Sequence, residues 1–308
     1  MLYQNVFAKL HRKAVPVLLS VAVAGLLFSA TQKARAANTI SVIAAENFYG
    51  DIAAQIAGND VHVTSILNNP DQDPHLFEAS ASVARAISAA QVVVYSGIDY
   101  DPWMEKLLKA ARNPRRKIIV VADLIGKKPG DNPHVWYDLT AIKAFAKRLS
   151  DDLATVDPAH AADYRSRLAR FQQSLLPIAA KIKQLRTRLA GTSVTATEPV
   201  FGYMLDALGM VSRNQKLQLA VMNNTEPSAS DVAGFESDLK QHRVRLLIYN
   251  SQASDPVAER MLRLAKESHV PVVGATETEP PAKSYQAWVT GELDAIEHAV
   301  AHEQAQSQ

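Results

Sequence analysis

The chain has no cysteine among its 308 residues. That absence excludes disulfides, thiolate metal sites, a cysteine nucleophile and lipid attachment at an N-terminal cysteine. Charge of either sign is in short supply as an excess: 33 lysines and arginines stand against 31 acids, a formal net charge of +2. Five of those cations, Lys9, Arg12, Lys13, Lys33 and Arg35, fall within residues 1–36, which contain no acid, so the remainder of the chain carries −3. A slightly acidic body without interleaved basic and aromatic residues offers no electrostatic case for binding nucleic acid. Long hydrophobic runs are lacking apart from residues 14–30, and that run is interrupted by Pro16 and Ser20. It is also shorter than the ~20 residues of a spanning helix. No His-Glu-x-x-His pair, nucleophile elbow or phosphate-binding glycine loop occurs, so the common hydrolase and nucleotide-binding signatures are missing.

What is present begins with a leader. Lys9, Arg12 and Lys13 precede the apolar run, and Ala34-Arg35-Ala36 supplies small residues where a signal peptidase cuts. Cleavage is expected after Ala36, releasing a protein free in the periplasm without a lipid anchor; an uncleaved membrane anchor is the competing reading. The remaining sequence, in a chain 47% hydrophobic, has material for two ordinary domains. Strand-like runs at 40–45, 61–67, 92–95 and 118–121 alternate with helical spacing at 48–57, 80–90 and 102–111. Short β-branched runs of this kind predict parallel strands buried on both faces.

Residues 158–190 differ. Tyr164, Leu168, Phe171, Leu175, Ile178, Ile182 and Leu185 recur every three or four positions, and Gly191 closes the segment. The spacing predicts one amphipathic helix, roughly 50 Å long at the α-helical rise and kinked by Pro177. Alternation then resumes, with strands expected at 194–197, 218–222, 245–249 and 271–274. Helices are expected at 201–208, 230–242 (capped by Ser228 or Ser230), 256–268 and 285–302. The predicted organisation is a signal peptide at 1–36, an N-terminal α/β lobe at 37–156, a connecting helix at 157–190 and a C-terminal α/β lobe at 191–308. Each lobe would be a parallel sheet flanked by helices, the two joined by one long rigid α-helix.

Two motifs carry the chemistry: Asp73-Pro74-His75-Leu76-Phe77-Glu78 and Asn132-Pro133-His134-Val135-Trp136. Each places a histidine directly after a proline, which fixes its own φ and restricts the residue before it. Two neutral imidazoles on stiff loops suit a divalent transition metal, although a single Pro-His pair is ordinarily a surface or packing residue. Ligands gather outside the carboxyl ends of parallel strands, and His75, His134, Glu198 and the loop Thr276-Glu277-Thr278-Glu279 all follow strands. Two imidazoles and two carboxylates would neutralise a divalent cation in a cleft between the lobes. The plainer readings are that Glu198 caps the helix begun by Pro199 and that Glu277 and Glu279 lie in a solvated acidic loop.

These two motifs, with Phe201-Gly202-Tyr203 after Glu198, the long central helix and Glu226-Pro227-Ser228, resemble the periplasmic zinc- and manganese-binding solute-binding proteins of ABC metal importers. The resemblance spans nearly all of the chain after the leader. It implies two α/β lobes, one metal in the inter-lobe cleft and delivery of that metal to permease subunits in the inner membrane by a monomer. By position, His75 and His134 match the N-lobe ligands. Glu198 stands where zinc-binding members carry a third histidine and manganese-binding members a glutamate. The fourth ligand falls on Glu277 by its Thr-Glu-Thr context or on Glu279 by a gapless count from Pro271. The histidine-rich loop of zinc-binding members is absent before His134, where Lys127-Lys128-Pro129-Gly130-Asp131 stands instead. Two histidines with two carboxylates make a harder site, which favours Mn2+ or Fe2+, while Zn2+ has the higher intrinsic affinity for most such donor sets. The rival readings are a metal-dependent hydrolase using Glu226 or Asp138 as base, and an adhesin-like surface protein of the same fold. Four protein ligands would leave no open position for water, so no enzymatic activity is expected.

Overall fold

The computed structural model describes residues 40–69 and 77–306. The expected signal peptide and the first histidine, His75, lie outside these residues. From the amino end the chain runs β1 (Ile40–Glu46), α1 (Asn47–Ala57), β2 (Val61–Leu67), α2 (Ala81–Ala89), β3 (Val92–Tyr95), α3 (Pro102–Ala110) and β4 (Lys117–Val120). After a 3-10 turn at Val135–Tyr137 come α4 (Leu139–Val156), α5 (Ala161–Ser174) and α6 (Leu176–Leu189). The second half has β5 (Ser193–Ala196), α7 (Gly202–Leu208), β6 (Val211–Arg213), α8 (Gln215–Met222), α9 (Ala229–Lys240), β7 (Leu247–Asn250), α10 (Pro256–Glu267), β8 (Val272–Ala275) and α11 (Tyr285–Gln306).

The strands form two four-stranded sheets, ordered β2-β1-β3-β4 and β6-β5-β7-β8, and every pairing is parallel. β3 is buried at all four residues, and β1 is buried from Val42 to Glu46. Continuous apolar runs in a parallel sheet are covered by helices on both faces, which is why alternation of polar and apolar residues is missing from them. In both sheets the chain reverses direction of winding beside the first strand, so the crevice between β1 and β3 in one, and between β5 and β7 in the other, opens at the carboxyl ends.

One expectation is refined and one needs correction. The long helix expected over residues 158–190 is present as α5 and α6 with a single-residue break: a 3-10 turn, Pro158–His160, precedes α5, and Leu175 alone separates α5 from α6. Pro177 sits in the first turn of α6 and has no N–H for a carbonyl one turn back, so the ladder lapses there, yet Leu175 keeps right-handed helical dihedrals (φ −83°, ψ −12°). Residues 218–222 are helical, in α8, instead of a strand. Leu217, Gln218 and Val221 bury one helical face there, and the sheet edge is taken by β6, which the residue pattern did not single out. The 18-residue α4 was likewise not singled out.

The core does not respect the lobe boundary. One cluster of buried apolar residues runs from Val42, Phe48 and Ile52 through Trp136, Tyr137, Phe145 and Phe171 to Val194, Phe201, Trp288 and Leu293. Phe48 packs on Trp136 and Trp288 with ring centroids 4.8 and 5.9 Å apart, and Tyr137 packs on Phe201 and Trp288 at 4.7 and 5.3 Å. Such pairs add ~0.5–1.5 kcal/mol each beyond their burial, so an aromatic seam joins the two sheets in addition to α5 and α6. Among the described residues no helix is long and apolar enough to cross a membrane.

Candidate metal centre

His134 follows β4 and is fully buried beside Trp136 and Tyr100, its ring centroid 5.1 and 6.0 Å from theirs. Its main-chain N–H and its Nδ1 both lie on Asn132 Oδ1, at 3.1 and 2.6 Å. An oxygen that already accepts a backbone N–H can only accept from the ring, so Nδ1 carries the proton and Nε2 presents its lone pair. Asn132 is itself oriented by donating from Nδ2 to Pro199 O at 2.7 Å, and its main-chain oxygen accepts from Tyr203 Oη at 2.6 Å. The approach is so close that a Cβ on Gly202 would stand 2.6 Å from Asn132 Nδ2. Asn132 thus ties the His134 loop to the loop that carries Glu198.

Opposite His134 stands Glu277, 4% exposed, with Oε2 4.0 Å from His134 Nε2. Tyr100 Oη donates to the same Oε2 at 3.0 Å, and Asn250 Nδ2 donates to Oε1 at 2.5 Å. Asn250 Nδ2 also reaches Glu198 Oε1 at 3.3 Å, so one amide at the end of β7 holds both carboxylates. The Glu277 loop is braced from below by Gln252, whose Oε1 accepts the N–H groups of Glu277 and Thr278 at 2.6 and 2.9 Å. Glu198 is 6% exposed and makes no side-chain capping bond to the turn that follows, so it does not act as a helix cap. Nor is the 276–279 loop solvated, since Glu279 is only 5% exposed.

Glu279 is directed elsewhere. Asn47 grips its main chain on both sides, donating to Glu279 O at 2.7 Å and accepting from Glu279 N at 2.9 Å. Burial, with the Asp51 charge nearby, pushes its carboxyl up to about 8. The two bases considered for a hydrolase fare no better: Asp138 accepts from Thr140 N at 2.7 Å as the cap of α4, and Glu226 is exposed. Among the described residues no three histidines, aspartates or glutamates are already drawn together at ligating distances; the described centre is the His134 and Glu277 pair with Glu198 joined through Asn250.

Beneath this centre lies a carboxyl pair that residue types alone did not suggest. Glu46, ending β1, is fully buried, and Asp101 accepts from Ser96 N and Gly97 N at 2.7 and 2.9 Å. Gly97 turns the chain at φ +81°, where a Cβ would lie 2.4 Å from Val120 Cγ1. Burial pushes Asp101 up to about 7, and burial together with the Asp101 charge holds Glu46 well above the usual carboxylate range. Burial and the Glu277 charge raise the Tyr100 phenol well above its ordinary value, so its proton stays on the bond to Glu277. The available signal was an acid at the carboxyl end of an otherwise apolar strand, where parallel sheets place their ligands.

The family model described as zinc-uptake complex component A, periplasmic, matches residues 42–299. A metal ABC transporter substrate-binding lipoprotein, SloC of Streptococcus mutans, is 27% identical over 291 residues, covering 89% of this chain and 93% of that protein. The manganese ABC transporter substrate-binding lipoprotein PsaA of Streptococcus pneumoniae is 24% identical over 268 residues, 82% of this chain and 84% of that one. Among solved structures, the periplasmic zinc binding protein TroA from Treponema pallidum superimposes with a TM-score of 0.72 at 21% identity, covering 85% of this chain and 99% of that chain. An Mn-bound periplasmic metal binding protein from candidatus liberibacter asiaticus superimposes with a TM-score of 0.67 at 21% identity, covering 85% and 100%. With two parallel four-stranded sheets and a family match along most of its length, the chain belongs to the family of periplasmic A components of zinc-uptake complexes.

Proposed function

We propose that the protein captures one divalent transition metal ion in the cleft at the carboxyl ends of its two sheets and delivers it to the permease of an ABC importer. The observation that carries this reading is the meeting of His134 Nε2 and Glu277 Oε2, 4.0 Å apart and both buried, from opposite sheets. A neutral imidazole and two buried carboxylates have a net charge of −2, which a divalent ion cancels at the point where burying unpaired charge is most costly. His134, Glu198 and Glu277 are the proposed ligands on this basis, with His75 added from its matching Pro-His motif. Glu279 is the less favoured alternative because its main chain is held against Asn47. The donor set favours Mn2+ or Fe2+ over the three-histidine zinc pattern, with Zn2+ competing through its intrinsic affinity. The protein would act as a periplasmic monomer; SloC and PsaA are named lipoproteins, whereas this sequence contains no cysteine.

Metal analysis after equilibration with Mn2+, Fe2+ and Zn2+, followed by competition against chelators, tests this directly. One ion per chain with sub-micromolar retention is expected, and failure to retain any of the three would sink the reading. A separate expectation concerns Asn132, which fixes the tautomer of His134. Asn132→Ala should weaken binding by ~10–100-fold, the usual cost of losing a partner of a ligating histidine. Titration of the variant in parallel with the parent checks it, and equal affinities would remove Asn132 from the site.

A further inference from the structure

Resting on that reading, we propose that Glu292 is a positioning residue for the metal centre: with Tyr137 it clamps the loop carrying Glu277 onto the loop carrying His134, although neither side chain belongs to the ligand set. Glu292 lies two turns into α11, on the face turned toward the 3-10 turn that follows His134. Its Oε1 accepts from Trp288 Nε1 at 3.1 Å and Thr276 N at 3.2 Å and stands 2.8 Å from Tyr137 Oη, whose single proton it shares with the Thr276 carbonyl. Tyr137 Oη also lies 2.7 Å from Thr276 O. Thr276 immediately precedes Glu277, and Tyr137 is three residues beyond His134. Both backbone groups of Thr276 are therefore held by one phenol and one carboxyl, and the phenol belongs to the opposite loop.

The clamp is stiff. The Tyr137 ring is fixed edge-on against Phe201 and tilted on Trp288, and Tyr285, on the same helix as Glu292, donates from Oη to Trp136 O at 2.8 Å. The remaining oxygen of Glu292, Oε2, is buried and has no hydrogen-bond partner among the described residues, so the carboxyl is held by its Oε1 contacts alone. α11 thus touches both sides of the His134–Glu277 pair, and the separation of the two ligands is set by a helix that supplies neither. Metal affinity falls steeply when ligands lose their supporting partners, and such losses are expressed chiefly in the rate of release.

The experiment measures Kd and chelator-induced release for Mn2+ and, in parallel, Zn2+. The proteins compared are the parent, Tyr137→Phe, Glu292→Leu, Glu292→Gln and the double variant Tyr137→Phe/Glu292→Leu. Tyr137→Phe and Glu292→Leu should each weaken binding by ~10–100-fold through faster release. Glu292→Gln keeps the acceptor and should restore parent behaviour, and the double variant should lose no more than the worse single one, because both cut the same bridge. Tyr137→Phe retains the packed ring and decides the matter if Glu292→Leu does not fold. Parent-like affinity and release in Tyr137→Phe would overturn the positioning role, even with a lowered melting temperature, and would leave the metal reading standing. A parent that binds neither ion would overturn both.

Discussion

Replacing His134 by alanine is expected to reduce affinity for the transported metal by well over the ~100-fold that loss of a supporting partner costs. The imidazole is fully buried, its tautomer is set by Asn132, and its Nε2 points across 4.0 Å to Glu277. Alanine removes a donor atom that no neighbouring side chain is placed to replace. Glu277→Ala should have a comparable effect, since it also removes the carboxylate to which the Tyr100 phenol and the Asn250 amide donate. Glu279→Ala is the discriminating control: held at Asn47, away from His134, it should bind metal as the parent does. Titrations of the three variants, with circular dichroism to establish folding, decide the matter. A Glu279→Ala protein that lost binding while Glu277→Ala kept it would reverse the assignment. Because an imidazole binds metal only in its neutral form, the proposed role of His75 and His134 also means that binding by the parent should weaken as pH falls through about 6.5.

The metal-free protein should lose stability as pH rises from about 5 to about 9, opposite in direction to its metal affinity. Glu292 is pushed up to about 8 by burial, against which its bonds to Tyr137, Thr276 and Trp288 work, and Asp101 is pushed up to about 7 by burial. A carboxyl whose folded pKa is raised binds its proton more tightly in the native state than in the unfolded chain. Between the unfolded value near 4 and the folded value, the native state therefore holds more protons, and stability falls with increasing pH. Each unit of displacement corresponds to ~1.4 kcal/mol, so one such group accounts for a loss on the order of 4 kcal/mol once fully ionised. That is a large part of the total stability of an ordinary domain. Denaturant melts of chelator-treated protein across this range should show the decline, and Glu292→Gln should make it shallower, leaving the part due to Asp101. A curve flat from pH 5 to 9 would mean that these carboxyls are ionised at no cost. Added metal should reverse the trend, because an ion bound only by the native state stabilises it by mass action once the histidines are neutral.

What the sequence determined by itself is the local part. Apolar β-branched runs such as Val92-Val93-Val94 have the composition of doubly covered parallel strands. The spacing from Tyr164 to Leu185 is that of a helix, and Pro133 before His134 stiffens a loop at a strand's carboxyl end. These features are written within a few residues, so they could be read without the fold. Where two local signals compete the reading fails: Gln218–Met222 is a short apolar stretch with no period long enough to separate strand from helix, and only the packing of Leu217 and Val221 in a smaller core cluster with Phe235 and Leu239 settles it.

The tertiary structure decided everything that depends on residues far apart in the chain. Glu277 and Glu279 are two positions apart in near-identical contexts, and nothing near them in sequence says which one faces the histidine. Gln252 holds the N–H of Glu277 while Asn47, from the opposite sheet, takes the main chain of Glu279, and these two grips choose between them. Likewise the pairing of Glu46 with Asp101, the bridge of Asn132 to Pro199 and the clamp of Glu292 on Tyr137 and Thr276 exist only once both sheets are packed along the aromatic seam. A residue type and its neighbours specify which element a ligand sits on, but the direction in which a loop carboxylate points is set by its distant hydrogen-bond partners.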